Sequence, residues 1–301
     1  MGEDHAQLRS PLVFLAVVAG LSAACAAPSG AARGEGAGAI LFSETFDDAR
    51  LAARGWYDHV HPLLAREAPG GGIEYRFERG ATKPTDGSPL RRKFTPSDSI
   101  YLKYRVRYGA NWVGSGRPYH PHEFHFLTTL DGDWTGLSFT HLTLYVEEND
   151  GVPLVAIQDG ANVDQSHVGV NLIASTEQRA VAGCNGSSDG YADNCYRAAE
   201  GYVNEKKWKA PARLFADDAW HVVEVYVRLN SIAAGRGVND GVVRYWLDGE
   251  PVIDRRDVLL RTGANASMQF NQFIVAPYIG DGSPIAQSFW VDDVIVAIER
   301  P

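Results

Sequence analysis

His125 and Tyr145 are the side chains in this sequence best suited to moving a proton. They lie in the stretch 121–150, PHEFHFLTTLDGDWTGLSFTHLTLYVEEND, which reads as two β-strands joined by a polar, glycine-containing turn. Alternation puts Phe124 and Phe126 on one side of the first strand and Glu123 and His125 on the other. In the second strand, Leu142, Leu144 and Val146 take the core parity. His141, Thr143, Tyr145 and Glu147 take the opposite one. An imidazole titrates near neutrality and suits a general base, and a phenol suits a proton donor. Two carboxyls roughly 5–9 Å apart would support hydrolysis instead. Glu123, Glu147 and Glu224 are the candidates for such a pair. His120, His122 and His125, with Glu123 among them, also form an imidazole-rich cluster. Transition-metal binding and plain groove lining are both open readings of it.

Later strands repeat the pattern. In Trp220–Leu229 the polar parity holds Glu224, Tyr226 and Arg228, and in Val242–Leu247 it holds Arg244 and Trp246. A guanidinium fork matches two carboxylate oxygens, so Arg228 or Arg244 is expected to hold an anionic ligand group. Trp246 and Trp208 are candidates for stacking on a ligand face. Trp208 sits beside Lys206, Lys207 and Lys209.

The elements that must position these residues are short strands. Ile40–Phe46, Ile73–Glu78, Ser99–Tyr108, Val152–Gln158, Met268–Pro277 and Ser288–Ile298 all read as extended, and Asp248-Gly249 reads as a hairpin turn. No long helical pattern and no internal repeat interrupts them. The expected class is all-β: a two-sheet antiparallel sandwich or jelly roll over residues 39–301. Residues 159–218 read as one long loop carrying Cys184 and Cys195.

Before this domain, Pro11–Ala24 is an apolar run too short to span a bilayer comfortably, and it fits the core of a secretory leader over 1–24. Ser-Ala-Ala-Cys at 22–25 resembles a bacterial lipobox, which would leave Cys25 lipidated. Ala24-Cys25-Ala26 alternatively reads as an ordinary cleavage site. Residues 25–38 are rich in small residues and read as a flexible tether. An exported protein, either a lipoprotein on the outer membrane or cell surface or a freely secreted monomer, is expected. Export would allow Cys184 and Cys195 to pair as a disulfide. The formal net charge of −9, without a Lys/Arg run, argues against a nucleic-acid binder.

The segments AWHVVEVYVRLN, DGVVRYWLDGEPV, FNQFIVAPYIG and FWVDDVIVA, together with LFSETFDD and YLKYRVRY near the start, resemble the concanavalin A-like jelly rolls of secreted polysaccharide lyases and glucanases. The resemblance implies two antiparallel sheets with a glycan lying across a concave one. The glucanase signature Glu-x-Asp-x-x-Glu is absent, and His125 stands where its middle Asp would fall. The signatures of known lyase branches are absent too. The residues themselves suggest the reaction: β-elimination needs a base and an acid, so a lyase acting on an acidic, uronate-containing polysaccharide is expected, with His125, Tyr145 and Glu123 at the reacting centre. His141, Glu224, Tyr226, Arg228, Arg244, Trp246 and Trp208 would contact substrate. A non-catalytic glycan-binding module and a Glu-pair hydrolase are the alternatives. No cofactor is expected for catalysis. The last-strand Asp292 resembles the family's calcium ligand, and with Glu44 and Asp47 it implies a structural Ca2+.

Overall fold

The computed structural model describes residues 39–65, 71–116, 121–128, 142–159, 197–198, 201–202 and 206–301. The expected leader and tether, Cys25, His141, Cys184 and Cys195 lie outside them. The first strands are β1 (Ile40–Glu44), β2 (Trp56–Asp58), β3 (Leu63–Leu64), β4 (Ile73–Phe77), β5 (Leu90–Ser97) and β6 (Ser99–Tyr108). Next come β7 (His122–Thr128), β8 (Leu142–Asn149), β9 (Val152–Asp159), β10 (Arg197–Ala198), β11 (Gly201–Tyr202) and β12 (Lys206–Lys209). The remainder are β13 (Trp220–Arg228), β14 (Ile232–Ala233), β15 (Arg236–Gly237), β16 (Gly241–Leu247), β17 (Glu250–Val258), β18 (Phe270–Tyr278) and β19 (Gln287–Ala297). Among the described residues, helix is confined to two 3-10 turns, Ala52–Arg54 and Gly263–Asn265.

Alternation builds two sheets. In β6, Ile100, Leu102, Tyr104, Val106 and Tyr108 turn to the core, and Lys103, Arg105 and Arg107 turn out. In β13 the same parity rule buries Val223, Val225 and Val227. The first sheet runs β17-β16-β13-β6-β19-β4-β3, with β1 also paired to β19. The second runs β12-β9-β8-β7-β18-β5-β2. The pairings within both sheets are antiparallel, so the chain is an all-β sandwich. Asp248 and Gly249 both have positive φ, as the tight turn between β16 and β17 requires.

Aliphatic side chains and aromatic rings fill the space between the sheets together. Phe273 on β18 lies 5.0 Å from the Phe126 ring, 6.0 Å from Phe42, and 6.2 Å from both Trp56 and Phe124. Tyr104 from the first sheet meets Phe124 of the second at 4.4 Å.

β19 pairs with β6 along one edge, while its other edge is shared end to end by β4 and β1. Its register with β6 shifts between Asp292 and Ile295, and Asp293 has φ 50°. Gly72 lies against this point: its φ is +95°, and a Cβ there would sit 2.3 Å from the Val291 carbonyl oxygen.

One expected loop contains three short strands. Within 159–218, β10 and β11 pair with each other, and β12 adds an edge to the second sheet, with Trp208 opposite Val155 of β9. Trp208 is buried in the core, so it is not an exposed stacking platform. Lys207 and Lys209, exposed on either side of it, take the outer parity. A four-residue strand carries too little alternation to be read from sequence.

Candidate functional site

The site lies on the outer face of the second sheet, where strand pairing alone assembles Tyr57, Arg91, His125, Tyr145 and Lys207 into one row with Ile274 and Ala156 between them. His125 on β7 is directly opposite Tyr145 on β8. Their rings are 4.8 Å apart and nearly edge-to-face. On one side, His125 is opposite Ile274 of β18, which is opposite Arg91 of β5, which is opposite Tyr57 of β2. On the other side, Tyr145 is opposite Ala156 of β9, which is opposite Lys207 of β12. At about 4.8 Å per strand, the row crosses the whole sheet. The adjacent row contains Lys93, Gln272, Leu127 and Thr143.

Arg91 is tied down by its neighbours on β2. It donates from Nε to Asp58 Oδ2 at 2.7 Å, donates to the same oxygen from Nη2, and lies over the Tyr57 ring. Gln272, fully buried, donates to the Tyr57 hydroxyl. Tyr145 packs with Leu154 and Ala156 in a small apolar cluster separate from the main core.

Along β7, alternation breaks. Phe124 and Phe126 join the core and His125 faces out, as expected, but Glu123 also turns inward. Its carboxyl accepts from the Tyr108 hydroxyl at 2.9 and 3.0 Å, between the sheets. The break coincides with a register shift against β18 between Val275 and Tyr278, where Pro277 cannot donate to the ladder. Glu123 is therefore not in the groove. Burial, reinforced by the neighbouring Glu148 carboxylate, pushes its pKa well above the usual carboxylate range. Glu148, which accepts from Trp112 Nε1 and the Gly151 N–H, is also shifted upward by burial.

The same break brings His122 onto the outer face, three residues from His125. His122 Nδ1 lies 2.7 Å from Glu147 Oε1, and its ring is 5.0 Å from Tyr145 and 5.9 Å from His125. A pocket of about 150 Å³ opens beside the two imidazoles, lined also by Lys83, Ser88, Pro89 and Tyr278. His125 is 2 % exposed, and this pocket is its approach from solvent.

Five expected substrate contacts lie elsewhere. Glu224, Tyr226 and Arg228 are on β13, and Arg244 and Trp246 are on β16, all in the first sheet. Their partners in alternation, Val223, Val225, Val227, Val243 and Tyr245, fill the core, so these five project from the opposite side of the sandwich. There they are engaged with one another and with neighbours. Glu224 accepts from the Tyr101 hydroxyl at 2.6 Å and from two Arg300 nitrogens at 3.0 Å. Arg244 and Arg300 both stack on Trp246, and Arg228 donates to the Asp240 carbonyl. Parity identifies an outward face but not which sheet carries it. Glu123, Glu147 and Glu224 thus point to three different places and make no hydrolytic pair.

Of the expected calcium ligands, Glu44 does not fit. Both its oxygens are taken by Arg54, with Trp56 Nε1 and the Phe46 N–H donating as well. Asp292 is different: it is buried at the β19 bulge, and burial raises its pKa to about 6, with Asp293 and Asp47 adding to the rise. Asp292 and Asp47 are the carboxylates a hard cation would use there.

Sequence reading missed Arg91, Lys93, Gln272 and Tyr57. The polar parity of LRRKF and of the Gln272-containing strand was a signal for the middle two strands. What joins them to His125 is pairing between distant segments.

No protein-family model matches the sequence, and no curated protein sequence matches it. The fold does match solved structures. An alginate lyase, vAL-1, from Chlorella virus superposes with a TM-score of 0.54 at 10 % identity, covering 86 % of this chain and 100 % of its own. A marine PL-14 alginate lyase from Aplysia kurodai gives 0.53 at 13 % identity, covering 86 % and 99 %. The chain therefore has the two-sheet sandwich fold found in polysaccharide lyases.

Proposed function

We propose that the protein is a polysaccharide lyase that cleaves a uronate-containing polymer by β-elimination on the outer face of the second sheet. The observation that carries this reading is the cross-strand row in which His125 and Tyr145 are direct neighbours and Arg91 lies two strands away. His125 takes the proton from C5 of the uronate. The C4–O4 bond breaks as the C4=C5 double bond forms, and O4 takes the Tyr145 hydroxyl proton. The imidazolium then returns its proton to the tyrosinate through solvent. Arg91, its plane set by Asp58, holds the uronate carboxylate, which lowers the barrier to losing the C5 proton. Lys93 and Lys207 add positive charge along the same face. The alginate-lyase neighbours support the substrate class. Export, by a Cys25 lipid anchor or by free secretion, fits a substrate too large to enter a cell. A calcium ion at Asp292 and Asp47 would be structural.

The test is a screen of purified protein on alginate, polyglucuronate, pectate and neutral glucans, reading ultraviolet absorbance of unsaturated ends and new reducing ends together. The expected result is both signals on a uronate polymer. His125→Ala and Tyr145→Phe should each lower the rate by about 10²–10⁴-fold with the fold intact by circular dichroism. Reducing ends without absorbance would indicate a hydrolase, and binding without either signal a non-catalytic module; either result overturns the proposal.

A further inference from the structure

His122, His125 and Glu147 present three potential ligand atoms that all lie within 4.8 Å of one another. We propose that these three residues bind one divalent transition-metal ion of the zinc class. The donor set is two imidazoles and one carboxylate. That composition suits zinc, cobalt or nickel and is poor for calcium or magnesium, which take oxygen ligands. Around a tetrahedral zinc with bonds of about 2.0–2.1 Å, ligand atoms sit about 3.3 Å apart. His122 Nδ1 and Glu147 Oε1 are already closer than that, at 2.7 Å. The third ligand atom lies within 4.8 Å of both.

Three features make this a prepared site rather than a chance cluster. The ligands stand on paired strands, so the backbone does not have to be ordered on binding. His125 and Glu147 are 2 % and 1 % exposed, so their desolvation has largely occurred on folding. The break in alternation at Glu123 is what puts two histidines three residues apart on one face, and that spacing would normally place them on opposite faces. The pocket of about 150 Å³ beside the imidazoles supplies an entry path and room for a fourth ligand. Two neutral imidazoles and one carboxylate around a dication leave a net charge of +1 directed at that pocket, which favours an anion there.

The inference does not rest on the elimination reading, but it constrains it. A metal ion bound to His125 occupies the lone pair that would accept the C5 proton. The metal-loaded state and the proton-accepting state therefore exclude each other, and bound zinc inhibits elimination.

The test uses the untagged full chain after chelator treatment. Calorimetric titration with Zn2+ should give one ion per chain, and Co2+ should give the intense visible bands of a four-coordinate site. Two histidine side-chain resonances should shift on Zn2+ addition, a readout that needs no variant. His122→Ala and Glu147→Gln should each weaken Zn2+ binding by more than about 100-fold, beyond the 10–100-fold typical of losing an outer partner. Absence of saturable binding, unchanged affinity in both variants, or equal competition by Ca2+ would overturn the site. Where lyase activity is present, zinc should abolish it and chelator restore it. Undiminished elimination with zinc bound would overturn the mutual exclusion while leaving the binding measurement to stand on its own.

Discussion

Glu123 is sealed between the sheets against Tyr108; burial, reinforced by Glu148, favours its neutral acid and outweighs the opposing hydrogen bond from the Tyr108 hydroxyl. Its folded pKa lies above the unfolded value of 4.5, so the folded state binds the proton more tightly. That contribution to stability is complete below about pH 4.5 and is lost as pH rises toward the folded pKa; Glu148 acts in the same direction. Glu123→Gln, which mimics the protonated carboxyl, should therefore raise the melting temperature at pH 7 and flatten its decline with pH. A series of thermal melts from pH 4 to pH 8 checks this, and a variant with the wild-type slope would contradict it. Residue by residue, the sequence was informative where alternation held. His125, Thr143, Tyr145 and Glu147 lie on the parity that period two assigns them. Glu123 and His122 do not: facing reverses where β7 and β18 lose register beside Pro277, on a strand more than 150 positions away.

Elements gather what single residues leave scattered. β5 and β18 bring Arg91, Lys93 and Gln272 beside β7, a juxtaposition that depends wholly on long-range pairing and is invisible to local pattern. Among the described residues β12 is the last strand of this sheet, and its Lys207 and Lys209 flank a tryptophan that anchors the strand to the core. Replacing both lysines with alanine should raise KM for a polyuronate several-fold at low ionic strength while leaving kcat unchanged. Salt should erase the difference, because exposed charges act within a screening length of about 10 Å at 0.1 M. Steady-state kinetics at two salt concentrations measures this. β19 bulges at Asp292, where β4 and β1 meet along its edge. If calcium binds there it ties three strands together. Calcium should then raise the melting temperature of the wild type and leave that of Asp292→Asn unmoved, as read by calorimetry with and without chelator.

For the molecule as a whole, the architecture was legible because each strand carries its own periodicity: SIYLKYRVRY declares its buried face without reference to any neighbour. Membership of a sheet is a different kind of information. Glu224, Arg228, Arg244 and Trp246 were correctly outward but on the far side of the sandwich, since period two is the same on both sheets. Aromatic rings from both sheets interlock with the aliphatic core between them. Phe273, in ring contact with strands of both sheets, should cost about 3–5 kcal/mol when replaced by alanine, as measured by denaturant unfolding. Glu123 bridges the same two layers through Tyr108, and in the protonated form that its burial favours it would serve as an internal vibrational label. A protonated carboxyl in a dry interior has an infrared carbonyl stretch distinct from that of any carboxylate, and the band moves when water reaches it. Isotope-edited spectroscopy of that one group would therefore report the moment at which the two sheets part.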